Sequence, residues 1–346
     1  MSALTLPQLL PNLSSGLDGS CFFFGAGTSV EAGYPMMSTL TREVVGALTT
    51  DQRTALDDAL GFSGKSYDNS SASPNIEEIA DIVIAQMINS GDVRFSALEA
   101  RIRQLITDRI LAVTSPTLDY HQRFFEALRK RAFGLSCCVY IFTTNYDILL
   151  ETAAALSGVA IETGFCGATD RFFDPGRFHT ICGRASPGRF TREPGLTVRL
   201  IKLHGSVSWT SHGSTFYERH PEAIASSERR VMILPRRQKV LDTLAPPYDA
   251  LFGVASRFIG NDCKYIVSCG FSFGDEHINQ TLIEPNLRAN RCRLFALCKD
   301  EPAGISAFKS LPAFSAGFET GRISSGVAST ASTDAWKFSQ FVELFA

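Results

Sequence analysis

Four short polar clusters, each directly after an apolar run, hold the residues of this sequence best suited to chemistry. The first is Gly25-Ala26-Gly27-Thr28-Ser29, followed by Gly33-Tyr34-Pro35. Glycine lets bare backbone approach a ligand closely, and exposed N–H groups at such a turn attract the oxygens of a pyrophosphate. The same glycines also suit a tight strand-to-helix turn for backbone reasons alone. The usual dinucleotide fingerprint wants glycine at position 30, where the chain has Val30. No acidic residue ends a second strand about 20 residues on, so an ordinary dehydrogenase is disfavoured.

The second cluster is Thr143-Thr144-Asn145-Tyr146-Asp147. It can line a ligand at the carboxyl end of a strand, or Asn145 can close an Asx turn while Asp147 caps the next helix. The third is Lys202-Leu203-His204-Gly205-Ser206, where the near-neutral intrinsic pKa of His204 suits proton transfer and Gly205 leaves room beside the ring. A lone histidine is as often structural. The fourth runs from Gly270 to Asn279 (GFSFGDEHIN). Gly270 makes a turn, Ser272 offers a hydroxyl to a ribose or phosphate, Asp275 is well placed as an N-cap, and His277 and Asn279 cap or pack.

These clusters need elements to hold them. Ser20–Phe24 and Cys137–Phe142 read as buried strands, with further strands at Val198–Leu203, Val231–Leu234, Lys264–Cys269 and Cys292–Leu297. Helices are predicted at about Met36–Leu48, Asp147–Leu156, Tyr248–Ile259, Asp275–Arg288 and Ala303–Ser310. Between about Asp51 and Arg131 two helical stripes (Ile76, Ile79, Val83, Met87 and Phe95, Leu98, Ile102, Leu105, Ile106, Ile110) mark a helical insertion. Glu162–Pro194 lacks periodicity and reads as a structured excursion, and Ile323–Thr333 as a loop. The strand-turn-helix rhythm predicts one α/β domain over residues 1–346: a Rossmann-like parallel sheet with helices on both faces, interrupted by the insertion.

Bulk properties narrow the function. The 346 residues are 45% hydrophobic and 20% charged with a formal charge of -2, as expected of a soluble globular chain. That charge provides no field for direct nucleic-acid binding. The nine cysteines sit mostly in apolar runs, without zinc-ribbon spacing, and read as buried thiols in a reducing compartment with no bound metal. No secretory signal and no stretch long enough to cross a membrane is evident, so a cytoplasmic location is expected.

Taken in order, GAGTS-x3-GYP, TTNYD, KLHGS and GFSFGDEHIN resemble the sirtuin-like (silent information regulator) superfamily. They are closer to its bacterial branch of NAD-consuming antiphage-defence proteins than to its protein deacylases. The resemblance spans most of the chain. It implies that Gly25, Ala26, Gly27, Thr28 and Ser29 hold the NAD phosphates, with Pro35, Thr144 and Gly205 beside them. Asn145 and Asp147 would surround the nicotinamide ribose and carboxamide, His204 would act as the base, and Gly270, Ser272 and Asp275 would line the adenosine side. Two departures stand against deacylation: the four-cysteine zinc module of deacylases has no counterpart, and their G-I-P-D-F-R stretch reads Gly33-Tyr34-Pro35-Met36-Met37-Ser38.

The resemblance therefore implies an NAD glycohydrolase that depletes NAD during phage infection. Asn145 would position the ribose and the attacking water, Asp147 the carboxamide, and His204 would accept a proton. A protein deacylase, an ADP-ribosyltransferase and a non-catalytic nucleotide-binding assembly subunit are the alternatives. With the length taken up by one domain, control is expected from homo-oligomerisation or from a partner, by resemblance a translocating ATPase/helicase of the HerA type.

Overall fold

The computed structural model describes residues 4–13, 16–70, 72–181, 183–192, 194–225, 227–234 and 245–345. Apolar runs with little alternation are expected to be buried on both faces of a parallel sheet. This holds for β1 (Ser20–Phe24), buried at every position, and for β2 (Ser136–Thr143). Between them lie α1 (Met37–Gly46), α2 (Thr50–Phe62), α3 (Ile76–Ser90), α4 (Val93–Leu111) and α5 (Asp119–Arg131). The chain continues through α6 (Leu149–Leu156), β3 (Ala160–Glu162), β4 (Phe165–Cys166), β5 (Arg171–Phe173), β6 (Gly183–Ser186), β7 (Arg189–Arg192) and β8 (Gly195–Lys202). There follow β9 (Gly205–His212), β10 (Thr215–Glu218), β11 (Arg230–Met232), α7 (Tyr248–Phe258) and β12 (Tyr265–Cys269).

The last part comprises α8 (Glu276–Ile278), a π turn over Asn279–Ile283, α9 (Glu284–Arg288), β13 (Arg293–Leu297), β14 (Phe314–Gly317), β15 (Arg322–Ser324), β16 (Val327–Ser329) and α10 (Phe338–Glu343). A nine-stranded sheet runs in the order β16-β15-β14-β13-β12-β1-β2-β8-β3. It is parallel from β14 to β3. The fold is thus the expected α/β arrangement. Phe23 points to one face, 4.5 Å from Phe271, while Phe22 points to the other, 5.0 Å from Phe124 on α5. Each such burial stabilises the fold by roughly 1.5–3 kcal/mol.

Several expectations are corrected. Val231–Leu234 does not join the parallel sheet. Its first part, β11, pairs antiparallel with β9 in a separate five-stranded sheet of order β11-β9-β10-β5-β4. The Glu162–Pro194 excursion supplies β4 and β5 to that sheet and the β6–β7 hairpin, which stands apart. Ile323–Thr333 is not a loop. Ser325 and Gly326 have φ of 48° and 82°, the pair of left-handed residues that closes a two-residue hairpin, so β15 and β16 extend the sheet edge. The Ala303–Ser310 helix shrinks to a 3-10 turn over Ala303–Ile305. The Asp275–Arg288 helix contains the π turn because Pro285 lacks the N–H needed to continue an α ladder.

The helical block divides in two. α2, α3 and α4 build their own core around Leu56, Ile79, Val83, Leu98 and Ile102, whereas α5 packs on the main sheet. Local signals start these helices: a Thr49–Gln52 capping box, and the Asn75 and Asp92 side chains accepting from the backbone of Glu78 and Arg94. Cys138 and Cys166 are half-buried, the other described cysteines are buried, and Cys182 lies outside the described residues. Among the described residues no helix is long and apolar enough to cross a membrane.

Candidate active site

Strand register brings the four polar clusters side by side. Phe24 pairs with both Cys269 and Thr143, and Thr143 pairs with Lys202. The carboxyl ends of β12, β1, β2 and β8 therefore finish level, and each cluster begins immediately beyond one of them. This is where open α/β sheets bind ligands.

The first two clusters are joined by side chains. The Asn145 Nδ2 amide donates to the Gly25 carbonyl at 3.1 Å, to Ser29 Oγ at 3.0 Å and to Thr28 Oγ1 at 3.3 Å. Ser29 Oγ donates to Asp147 Oδ2 at 2.8 Å, and the other carboxylate oxygen accepts from the Leu149 N–H at 3.1 Å. Asp147 thus both accepts the first N–H of α6 and fixes the loop after β1. Asn145 is only 8% exposed, and its Oδ1 is buried without a hydrogen-bond partner. Buried acceptors are normally satisfied, so an open one at a strand end fits a ligand hydroxyl or water.

The third and fourth clusters meet through His204. Its Nε2 lies 2.8 Å from Asp275 Oδ2, with both side chains buried. The second Asp275 oxygen accepts from the Ile278 N–H at 3.1 Å and caps α8. The carboxylate fixes the ring's orientation and stabilises the imidazolium that accepting a proton creates. Gly205 adopts φ +83°, and any Cβ there would collide with the Val231 carbonyl across the β9–β11 pairing.

Two expected roles change. The Gly25 and Gly27 N–H groups are not presented to a ligand. They donate to the carbonyls of Cys269 at 3.2 Å and Gly270 at 3.0 Å, and Thr28 N–H donates to Gly25 at 3.0 Å. Glycine is required because the loops after β1 and β12 touch. A Cβ on Gly27 would sit 2.6 Å from Gly270 Cα, and one on Gly270 (φ +65°) 2.6 Å from the Thr28 nitrogen. Asp275 is held against His204 rather than presented with Ser272, which is exposed and accepts from the Gly274 N–H at 3.4 Å. Ala26 is exposed at the start of its turn, Pro35 and Thr144 are half-buried, and Thr144 N–H donates to Phe24 at 3.4 Å. Phe273, buried with φ 54°, takes a backbone conformation costly for a bulky residue, which the Asn279 Nδ2 bond to its carbonyl at 2.7 Å helps to hold.

Two further residues bear on the site. Lys202 is 1% exposed, and its Nζ donates to the Asp147 carbonyl and to Glu151 Oε1, the latter at 2.8 Å. It ties β8 to the turn that presents Asp147. Burial pushes the Glu151 carboxyl above its ordinary pKa, and Lys202 opposes that rise. A lysine inside an otherwise apolar strand end is the sequence signal for such a tie. Lys202→Met leaves Glu151 without its cation and is expected to lower stability by about 3–5 kcal/mol. Urea unfolding measures this, and Lys202→Met/Glu151→Leu should recover most of the loss.

His121, on α5, is the second. Its ring centroid lies 4.5 Å from that of Phe338, and its buried Nδ1 has no hydrogen-bond partner. Burial lowers its pKa to about 4, although Asp147 and Glu31 pull it upward. The folded state therefore resists charging that the unfolded chain accepts below pH 6.5. The resulting stability loss develops as pH falls from about 6.5 towards 4. Between pH 7 and pH 5 the wild type should lose about 2 kcal/mol more than His121→Phe in parallel urea titrations.

Glycine loop, amide, carboxylate and imidazole thus stand level at four strand ends, the place where open α/β sheets bind nucleotides. Residues 139–309 match the family model of the SIR2-like domain, while no curated protein matches the chain. This match over the second half of the sheet supports a place for the chain in the sirtuin-like superfamily, whose SIR2-like members are NAD-dependent enzymes. The residues fit that nucleotide through the open acceptor of Asn145, between the glycine loop and Asp147, and the oriented imidazole of His204.

Proposed function

We propose that this chain hydrolyses NAD, breaking the bond between nicotinamide and ribose to give nicotinamide and ADP-ribose. The observation that carries the reading is the unpartnered, buried Oδ1 of Asn145, whose amide is locked by Gly25, Thr28 and Ser29. A fixed acceptor of this kind orients a ribose hydroxyl or an attacking water without reorganisation at the moment of reaction. Water supplies the oxygen that bonds to the ribose carbon, nicotinamide leaves with the electron pair of the broken bond, and His204 takes up the proton. Asp275 stabilises the resulting imidazolium, and Asp147 keeps the glycine loop in register with Asn145.

Hydrolysis is favoured over acyl transfer by the sequence around the loop, where Met36-Met37-Ser38 replaces the acidic and arginine contacts of deacylases. The chain is proposed to deplete NAD in antiphage defence and to be held silent in resting cells through homo-oligomerisation or a translocating ATPase/helicase partner of the HerA type. Incubation with NAD, with and without an acetylated peptide, tests the reaction. Nicotinamide and ADP-ribose should form equally in both. Nicotinamide release that needs the peptide would make the chain a deacylase or transferase.

A further inference from the structure

The backbone of His204 leans on a strand that has little pairing of its own. β11 lies at the edge of the five-stranded sheet, is three residues long, and shifts register between Arg230 and Met232 where it meets β9. Yet Met232 pairs with Gly205, and Ile233, the residue after β11, donates its N–H to the His204 carbonyl at 2.9 Å. Whatever fixes residues 231–233 therefore fixes His204.

Two side chains from outside that sheet supply the missing hold. Tyr146, between Asn145 and Asp147, donates its hydroxyl to the Ile233 carbonyl at 2.5 Å. Its own carbonyl accepts from the Val207 N–H at 2.9 Å and from Ser206 Oγ at 3.2 Å, and its ring centroid lies 6.5 Å from that of His204. One residue thus braces the chain that follows His204 and the segment that bonds its carbonyl. The second side chain is Arg103, on α4 of the insertion. Its Nη1 donates to the Met232 carbonyl, while Nε donates to Glu99 Oε1 at 3.1 Å and keeps the guanidinium aimed. The core of the insertion adds apolar packing against Tyr146, Val207 and Met232.

We propose that the helical insertion controls proton transfer at His204, with Arg103 and Tyr146 as the positioning residues that carry the placement of α4 to the backbone of that histidine. The inference rests on the NAD-cleaving role given to His204 above and adds how that site is regulated. The 2.8 Å bond from His204 Nε2 to Asp275 joins two separate elements, so a shift of α4 that moves residues 231–233 changes the place of the ring against its carboxylate. A misplacement of about 1 Å at a reacting group can cost about 10²-fold in rate. Control of this kind acts on kcat rather than on affinity for NAD.

Arg103→Met removes the donor to Met232, Tyr146→Phe removes the donor to Ile233, and Arg103→Lys keeps one donor. In the assembly that releases nicotinamide, the first two should each lose about 10-fold in kcat with KM for NAD within about twofold of wild type, and Arg103→Lys should recover most of the rate. In a His204→Ala background the same substitutions should cost nothing further, because their effect passes through that ring. Nuclear magnetic resonance of the full chain labelled at its six histidines gives a reading that needs no turnover. The His204 ring signal, identified by its loss in His204→Gln, should shift in Arg103→Met while the His121 signal keeps its place. Rates that fall as far in the His204→Ala background as in wild type, or a His204 signal unmoved by Arg103→Met, would overturn the proposal alone. Absence of nicotinamide release from wild type in every assembly would strike the NAD-cleaving reading, and the proposal with it.

Discussion

His204→Ala is expected to slow nicotinamide release from NAD by about 10²–10⁴-fold, the range set by removing a positioned general base. The imidazole is held 2.8 Å from Asp275 at the end of β8, so its loss removes both the proton acceptor and the partner of a buried carboxylate. NAD binding should survive the substitution, because the loops after β1 and β2 do not depend on this ring. The split between a lost rate and a retained affinity separates a proton-transfer role from a structural one. Asp275→Asn should give a smaller rate loss in the same direction, since the ring remains but its imidazolium is less well stabilised. Single-turnover kinetics with binding measured separately would read both effects.

Asn145→Ala is expected to cost about 10²–10³-fold in the same assay, as removal of one preorganised polar group at a reacting centre typically does. The amide donates to three acceptors in the glycine loop, so alanine also takes one donor from the Gly25 carbonyl and from the Ser29 hydroxyl, which keep their bonds to Thr28 and Asp147. Asn145→Asp separates the two contributions. It keeps the size of the side chain but removes its donors and places a second carboxylate beside Asp147, so it should be impaired at least as strongly as alanine.

Much of this arrangement was legible in the sequence. Apolar runs ending in Phe24, near Thr143 and Lys202, and in Cys269 announced four strand ends, and parallel pairing then placed the clusters together. The second sheet was not legible, because β4, β5 and β11 are two or three residues long, too short for periodicity, and β5 and β11 join it through the more distant β10 and β9. The β15–β16 hairpin was missed because its small polar residues resemble a loop. Only the left-handed Ser325-Gly326 turn distinguishes it.

Within the site, residue types were readable but not their partners. GAGTS suggested an anion cradle, yet its Gly25 and Gly27 N–H groups serve contact with Cys269 and Gly270 at the end of β12, a packing requirement that no spacing within the motif encodes. Asp275 gave a sound N-cap signal, and that signal concealed its second oxygen's bond to His204, 71 residues away. His121 gave none, since a histidine on an amphipathic helix becomes informative only once its buried, unpartnered Nδ1 is seen.

The most direct measurement follows NAD, nicotinamide and ADP-ribose by chromatography for wild type, Asn145→Ala and His204→Ala, each alone and with the proposed ATPase partner. The account predicts stoichiometric nicotinamide and ADP-ribose from the active wild-type assembly and a loss of at least about 10²-fold in each variant. Full hydrolysis retained by both variants would contradict it.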